Sequence, residues 1–270
     1  MNLTFVGGGN MAAALIGGLL SRGFPAGGIK VIEVLPEARA RLTAETGVAA
    51  FATPAEAAPF GDVLVLAVKP QQMPTVAQSL RGHLAGELAI SIAAGIRLVD
   101  LARWLGDQVR LVRCMPNTPA LIGQGIAALY GGADVTAADR AAAQAILEAV
   151  GKAVWVDDEA LLDPVTAVSG SGPAYVFYFI EALEEAGVRL GLSAAVARQL
   201  AVETVRGAAE LAARSAEGPA TLRERVTSKG GTTERALASL AGDHFKEALI
   251  RAAQAASERG RELGELLGKD

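Results

Sequence analysis

Short runs of consecutive apolar residues, each closed by a turn and followed by a longer amphipathic stretch, recur along residues 1–156. Leu3 to Val6 is the first run, and it passes through Gly7-Gly8-Gly9-Asn10 into Met11 to Leu20, a stretch of helical length and helix-forming residues. A second strand is predicted at Lys30 to Val34, followed by an amphipathic helix from Pro36 to Glu45 with proline at its first position. Further apolar runs at Val63 to Ala67, Leu88 to Ile92 and Arg110 to Cys114 alternate with helical stretches. Nearly continuous hydrophobic strands of this kind suit a parallel sheet covered by helices on both faces. Ile126 to Tyr130 and Ala153 to Val156 extend the sheet edge around a helix from Ala137 to Val150.

After Val156 the strand pattern stops and the chain reads as helix: Pro173 to Arg189, Ala194 to Arg214, Thr232 to Leu240 and Phe245 to Leu267. The expected fold class is therefore α/β. A Rossmann domain over residues 1–156, doubly wound on a mostly parallel sheet, precedes an all-helical domain over 157–270. Ala194 to Ala213 is rich in alanine and poor in polar surface, which points to a face buried against a second subunit, with an ordinary helical core as the alternative.

Composition narrows the function classes. With 51% hydrophobic and 20% charged residues, 270 positions supply ample apolar material for one large domain or two modest ones. A net charge of −4, with both signs interspersed, leaves no basic stripe for phosphate backbones, so no nucleic-acid partner is expected. The single cysteine, Cys114, offers neither an internal disulfide nor a multi-thiolate metal site, so no metal is expected and the cytoplasm is the expected compartment. The opening from Met1 to Val6 lacks a basic leader, and no apolar run approaches the ~20 residues of a membrane span, so no membrane association is expected.

Candidate chemistry lies at the strand ends. Gly7-Gly8-Gly9-Asn10-Met11-Ala12 fits the G-x-G-x-x-G/A dinucleotide fingerprint in its required setting, after a strand and opening a helix. Gly7 would make the tight turn, Gly9 would let the backbone approach a diphosphate, and Ala12 would permit close packing of helix on strand. The helix N-terminal amides would hold the anion; the plainer alternative is a flexible turn. Glu33, about 20 residues on, stands where a carboxylate accepts the adenosine ribose hydroxyls and repels a 2′-phosphate. With no arginine before Arg39, these residues alone favour NADH over NADPH; a solvent-facing glutamate is the alternative. Lys69-Pro70-Gln71, Ala93-Ala94-Gly95 and Met115-Pro116-Asn117-Thr118-Pro119 each follow a strand and converge on the crevice where α/β folds bind ligands.

Two further glycine-hydroxyl turns, Ser169-Gly170-Ser171-Gly172-Pro173 and Thr227-Ser228-Lys229-Gly230-Gly231-Thr232-Thr233, precede helices in the second half. Each suits a carboxylate through free amides and the helix dipole, or serves as a cap alone. His83 and His244 lie in unremarkable surroundings, and no Ser-His-Asp set is apparent. An iminium carbon is already electrophilic and needs only positioning and one hydrogen bond to take a hydride, so imine reduction fits this sparse inventory.

These blocks, in this order, resemble the pyrroline-5-carboxylate reductases nearly end to end, with Ala167 to Tyr175 and Val226 to Thr233 the most specific. The resemblance implies NAD(P)H-dependent reduction of 1-pyrroline-5-carboxylate to L-proline, with the helical half intertwined with a partner in homodimers that assemble into homodecamers. It implies cofactor contacts at Gly7, Gly8, Gly9, Asn10, Met11, Val68, Lys69, Pro70, Ala93, Ala94 and Asn117, beside Glu33. Substrate contacts would come from Ser228, Gly230, Gly231, Thr232 and Thr233. Thr233 would hydrogen-bond the ring nitrogen, and Glu159 would offset the iminium charge. Lys229 replaces a proline common in the family's turn, and Val34-Leu35 stand where NADPH-preferring relatives carry polar residues. Two rival readings remain: a β-hydroxyacid dehydrogenase, which needs a lysine early in the helical half where this chain has none between Lys152 and Lys229, and a non-catalytic dinucleotide sensor.

Overall fold

The fold is taken from a computed structural model, which describes residues 1–106 and 109–269. Eight strands form one sheet: β1 (Leu3–Val6), β2 (Ile29–Ile32), β3 (Ala49–Phe51), β4 (Val63–Leu66), β5 (Leu88–Ser91), β6 (Arg110–Met115), β7 (Gly125–Gly131) and β8 (Gly151–Trp155). Their spatial order is β3-β2-β1-β4-β5-β6-β7-β8, and every neighbouring pair is parallel except β6 with β7. Leu3 pairs with Ile29 on one side and Val63 on the other, so the chain reverses its direction of travel across the sheet between β1 and β4. In a doubly wound sheet that switch point opens the ligand crevice.

Alternate side chains of each strand feed two separate cores, because successive strand residues point to opposite faces. Leu3, Phe5, Val63, Val65, Leu88 and Ile90 enter one core, packed under α1 (Asn10–Ser21), α2 (Pro36–Thr46) and a later helix, Ala137–Glu148. Val6, Leu64, Leu66 and Ala89 enter the other, with a short α3 (Pro54–Ala57), α4 (Met73–Leu80) and α5 (Leu98–Leu105), whose Trp104 is fully enclosed. The Ala137–Glu148 helix, α6, starts with a capping box in which Thr136 and Asp139 satisfy each other's backbone amides.

Beyond the sheet the chain is helical: α7 (Leu162–Val165), a π turn over Thr166–Gly170, α8 (Gly172–Arg189), α9 (Ala194–Arg214), α10 (Pro219–Arg225), α11 (Thr232–Gly242) and α12 (Phe245–Leu267). Composition changes near residue 157, but packing changes at Gly172. One compact unit holds residues 1–171 together with the chain from Gln254 onward, and the other holds Gly172–Ala253. Leu162 and Ala167 are buried with the sheet unit, which explains why the helical segment just after β8 belongs to it.

Candidate active site

In the sheet unit the glycine turn after β1 forms one wall of a cleft of about 380 Å³, also lined by Glu33, Val34, Val68, Lys69 and Gln72. Gly7 has φ +99°, and a Cβ there would stand 2.9 Å from the Ala67 carbonyl oxygen, so only glycine fits. Its N–H donates to the Ile32 carbonyl at 2.8 Å, tying the turn to β2. Gly9 is the extended N-cap of α1, and a Cβ there would meet nothing within 4 Å, so its approach face is open. No side chain caps α1, which leaves the amides of Asn10 and Met11 at the positive end of the helix without an intrahelical acceptor. This is the geometry of an anion cradle.

Glu33 turns inward. Its Oε2 accepts the Gly8 N–H at 2.8 Å and its Oε1 accepts the Leu35 N–H at 2.9 Å, so the carboxylate braces the glycine turn while lining the cleft. Arg39 reaches back from α2, its Nη1 donating to the carbonyls of Glu33 and Val34 at 2.7 and 2.9 Å. A fixed positive charge therefore stands on the backbone carbonyls at the end of β2, a feature the residue spacing had not suggested.

Lys69 and Pro70 begin a tight turn after β4, with Lys69 exposed on the cleft. Ala93 is buried at the end of β5 and Ala94 is exposed in the turn after it. Asn117 faces elsewhere: its Nδ2 donates to the Ser169 carbonyl at 3.1 Å and its Oδ1 accepts the Ile126 N–H at 2.9 Å, linking the post-β6 turn to β7 and the π turn. Glu159 is likewise engaged inside the protein. Its Oε1 accepts the Leu98 N–H at 2.8 Å and pairs with Arg113 Nη1 at 3.2 Å, while Arg113 Nη2 lies 3.7 Å from Asp163. Arg113, with a side chain 6% exposed, was legible as a charge set between apolar residues inside a strand, the usual mark of a buried carboxylate partner.

In the helical unit Ser228, Gly230, Gly231, Thr232 and Thr233 lie together on the turn that opens α11. Gly231 is its N-cap. The Gly230 N–H is taken by Glu234 Oε2 at 2.7 Å and the Gly231 N–H by the Ser228 carbonyl at 3.0 Å. The amides of Thr232 and Thr233 are first-turn groups that a helix leaves without internal acceptors. Among the described residues no group of three or more His, Cys, Asp or Glu is placed to hold a metal.

Comparison with known proteins decides the family. Residues 159–263 match the model for pyrroline-5-carboxylate reductase dimerisation, and residues 2–95 match that for NADP oxidoreductase, coenzyme F420-dependent. A pyrroline-5-carboxylate reductase of Pseudomonas aeruginosa is 48% identical over 268 residues, covering 99% of this chain and 98% of its own. The chain belongs to the pyrroline-5-carboxylate reductase family. A solved pyrroline-5-carboxylate reductase from Coxiella burnetii is 38% identical with a TM-score of 0.92, covering 97% of this chain and 98% of its own. A pyrroline carboxylate reductase from Plasmodium falciparum, solved with NADP bound, is 30% identical with a TM-score of 0.87, covering 98% of each chain. Family membership accounts for both halves of this pyrroline-5-carboxylate reductase fold, the sheet with its glycine cradle and the helical segment that follows it.

Proposed function

We propose that the protein reduces 1-pyrroline-5-carboxylate to L-proline with NADPH or NADH, the last step of proline biosynthesis. The carrying observation is the glycine cradle at the sheet's switch point in a chain 48% identical, end to end, to a pyrroline-5-carboxylate reductase. When bound, the dihydronicotinamide supplies a hydride to the imine carbon, C5, and the ring nitrogen, protonated at the start, keeps its proton as the amine of proline. The free amides of Asn10 and Met11 hold the diphosphate over the open face at Gly9, while Gly7 and Gly8 shape the turn by donating to Ile32 and Glu33, with Val68, Lys69 and Pro70 along the cleft and Ala93 and Ala94 beyond it. The side chain of Asn117, turned towards Ser169 and Ile126, supports the neighbouring turn instead of the cofactor.

The free amides of Thr232 and Thr233 receive the substrate carboxylate, and the Thr233 hydroxyl accepts the N–H of the ring as it becomes an amine. Ser228, Gly230 and Gly231 shape that turn by the hydrogen bonds they make to one another and to Glu234. At the end of β2, Arg39, held on the Glu33 and Val34 carbonyls, gives a 2′-phosphate a cation to meet, so NADPH is accepted beside NADH. The working form is a homodimer, with homodecamers built from it, in the cytoplasm. The exposed apolar side chains of α8 and α9 support the dimer, and no described helix is long and apolar enough to cross a membrane.

The test is the initial rate of NADPH and NADH oxidation with 1-pyrroline-5-carboxylate, repeated with Thr233→Ala. Turnover by the wild type and a roughly 100-fold lower kcat for the variant are expected. Cofactor binding without turnover would favour the sensor reading, and oxidation of a β-hydroxyacid would favour the dehydrogenase.

A further inference from the structure

The turn from Ala93 to Arg97, between β5 and α5, is gripped from two sides by residues that the chain supplies much later. From one side Glu159 Oε1 accepts the Leu98 N–H, the first amide of α5, and on the same oxygen holds Arg113 Nη1. Arg113 sits on β6 directly beside Ser91, the last residue of β5, so the grip spans the base of the turn. Asp163 completes the clamp at 3.7 Å from the other guanidinium nitrogen.

From the other side the last turns of α12 press on the turn itself. A Cβ on Gly264 would stand 2.9 Å from the Gly95 carbonyl oxygen and 3.3 Å from Arg97 Nε, and Gly95 itself has φ +77°. One turn of helix further on, a Cβ on Gly268 would come within 2.5 Å of Asp100 Oδ2, while the Gly268 carbonyl accepts from Arg103 Nη2 at 2.6 Å. Gly264, and Gly268 just past the end of α12, thus let the chain lie close against this turn and the start of α5, while Gly260 faces Asp163.

In the doubly wound sheet the ends of β2 and β3 take the adenosine half of a dinucleotide and the ends of β4 to β6 the nicotinamide half. The Ala93–Arg97 turn lies on the nicotinamide side, with Ala94 its exposed residue. We propose that Glu159 and Gly264 are positioning residues of hydride transfer, fixing this turn through separate contacts, at the Leu98 amide and at the Gly95 carbonyl, and through it the nicotinamide ring; the proposal rests on the reductase reading above. Glu159 then works by its hydrogen bonds and not by offsetting the charge of the substrate. Both bonds end on one oxygen, so an amide oxygen in the same place can accept both.

The experiment measures steady-state kinetics and the primary isotope effect with 4-deuterated NADPH for wild type, Glu159→Ala, Glu159→Gln and Gly264→Ala, alongside the fluorescence anisotropy of enzyme-bound NADPH. Glu159→Ala and Gly264→Ala are expected to lower kcat roughly 10- to 100-fold, with a raised isotope effect and a freer bound nicotinamide. NADPH affinity and the imino-acid KM should stay within about threefold, which also shows that the variants fold, and Glu159→Gln should recover most of kcat. If Gln is as poor as Ala, if the loss falls on the imino-acid KM, or if Gly264→Ala turns over like wild type, the proposal is overturned. A wild-type protein that binds NADPH without turnover would instead overturn the reductase reading, and the anisotropy of the three variants still decides the positioning claim.

Discussion

The two compact units satisfy their apolar residues in opposite ways. In the sheet unit, β1 and β4 bury every residue, and helices on both faces close two dense cores. In the unit from Gly172 to Ala253, Ala197 and Ala201 are the only buried residues, although Val176, Phe177, Tyr178, Phe179 and Leu183 follow one another along α8. Phe177 is 65% and Tyr178 74% exposed, a contiguous apolar surface of the kind that marks an interaction site. The sheet unit carries its stabilising contacts within one chain. The helical unit leaves its apolar side chains exposed within one chain, and the turn before α11 that is proposed to bind the substrate belongs to that unit.

The largest effect should come from breaking the helical side. Phe177→Glu places a charge where the proposed dimer buries an aromatic ring, and it should abolish the dimer in sedimentation velocity and reduce turnover by roughly 100-fold or more. The sheet unit should still bind NADPH with an affinity near that of the wild type. A dimeric, fully active variant would show that α8 is not the interface.

A smaller effect is expected from the sheet side. Gly7→Ala forces a residue with a Cβ into a positive-φ turn against the Ala67 carbonyl, at about 1–2 kcal/mol for the backbone alone. Cofactor KM should rise roughly tenfold and Tm should fall by a few degrees, about 2–4 °C per kcal/mol in a chain of this size, while the dimer persists. Loss of the dimer in this variant would mean that the two units are not separable in the way their burial suggests.

How much of this was legible in the sequence follows from the same contrast. Leu3–Val6, Ala194–Arg214 and Phe245–Leu267 stand where the apolar pattern predicted them, because each is long or pure enough for its period to be read. The strand β3, only Ala49–Phe51, and the short α10 were not predicted, since three to seven residues carry little periodicity. Of the site, the glycine cradle was readable because its chemistry is local: a positive φ, an open N-cap and a following helix. The hydrogen bonds that engage Glu33, Asn117 and Glu159 were not, because they run to partners 9 to 61 positions away, which spacing does not reveal. The contact of Gly264 with Gly95 was missed because its partner lies far away in the chain.

The smallest effect tests whether the sheet unit's local order is independent of everything above. Burial alone would raise the Asp139 carboxyl, but the Thr136 hydroxyl, the Thr136 amide and Arg110 outweigh it and hold the group below the ordinary carboxylate range. A depressed folded-state value means that ionised Asp139 stabilises the fold at pH values above its unfolded pKa of about 3.9, and that the contribution fades as pH falls through the lower folded value. Asp139→Asn keeps the shape of the cap but loses the charge, so it should cost about 1 kcal/mol in urea unfolding at pH 7. Wild type and variant should converge as the pH falls through the lowered folded-state value and the native carboxylate takes up its proton. Because α6 packs only within the sheet unit, the dimer and kcat should be unchanged; a kcat that falls with the cap would mean that order at α6 reaches the site through β8 and the segment that carries Glu159.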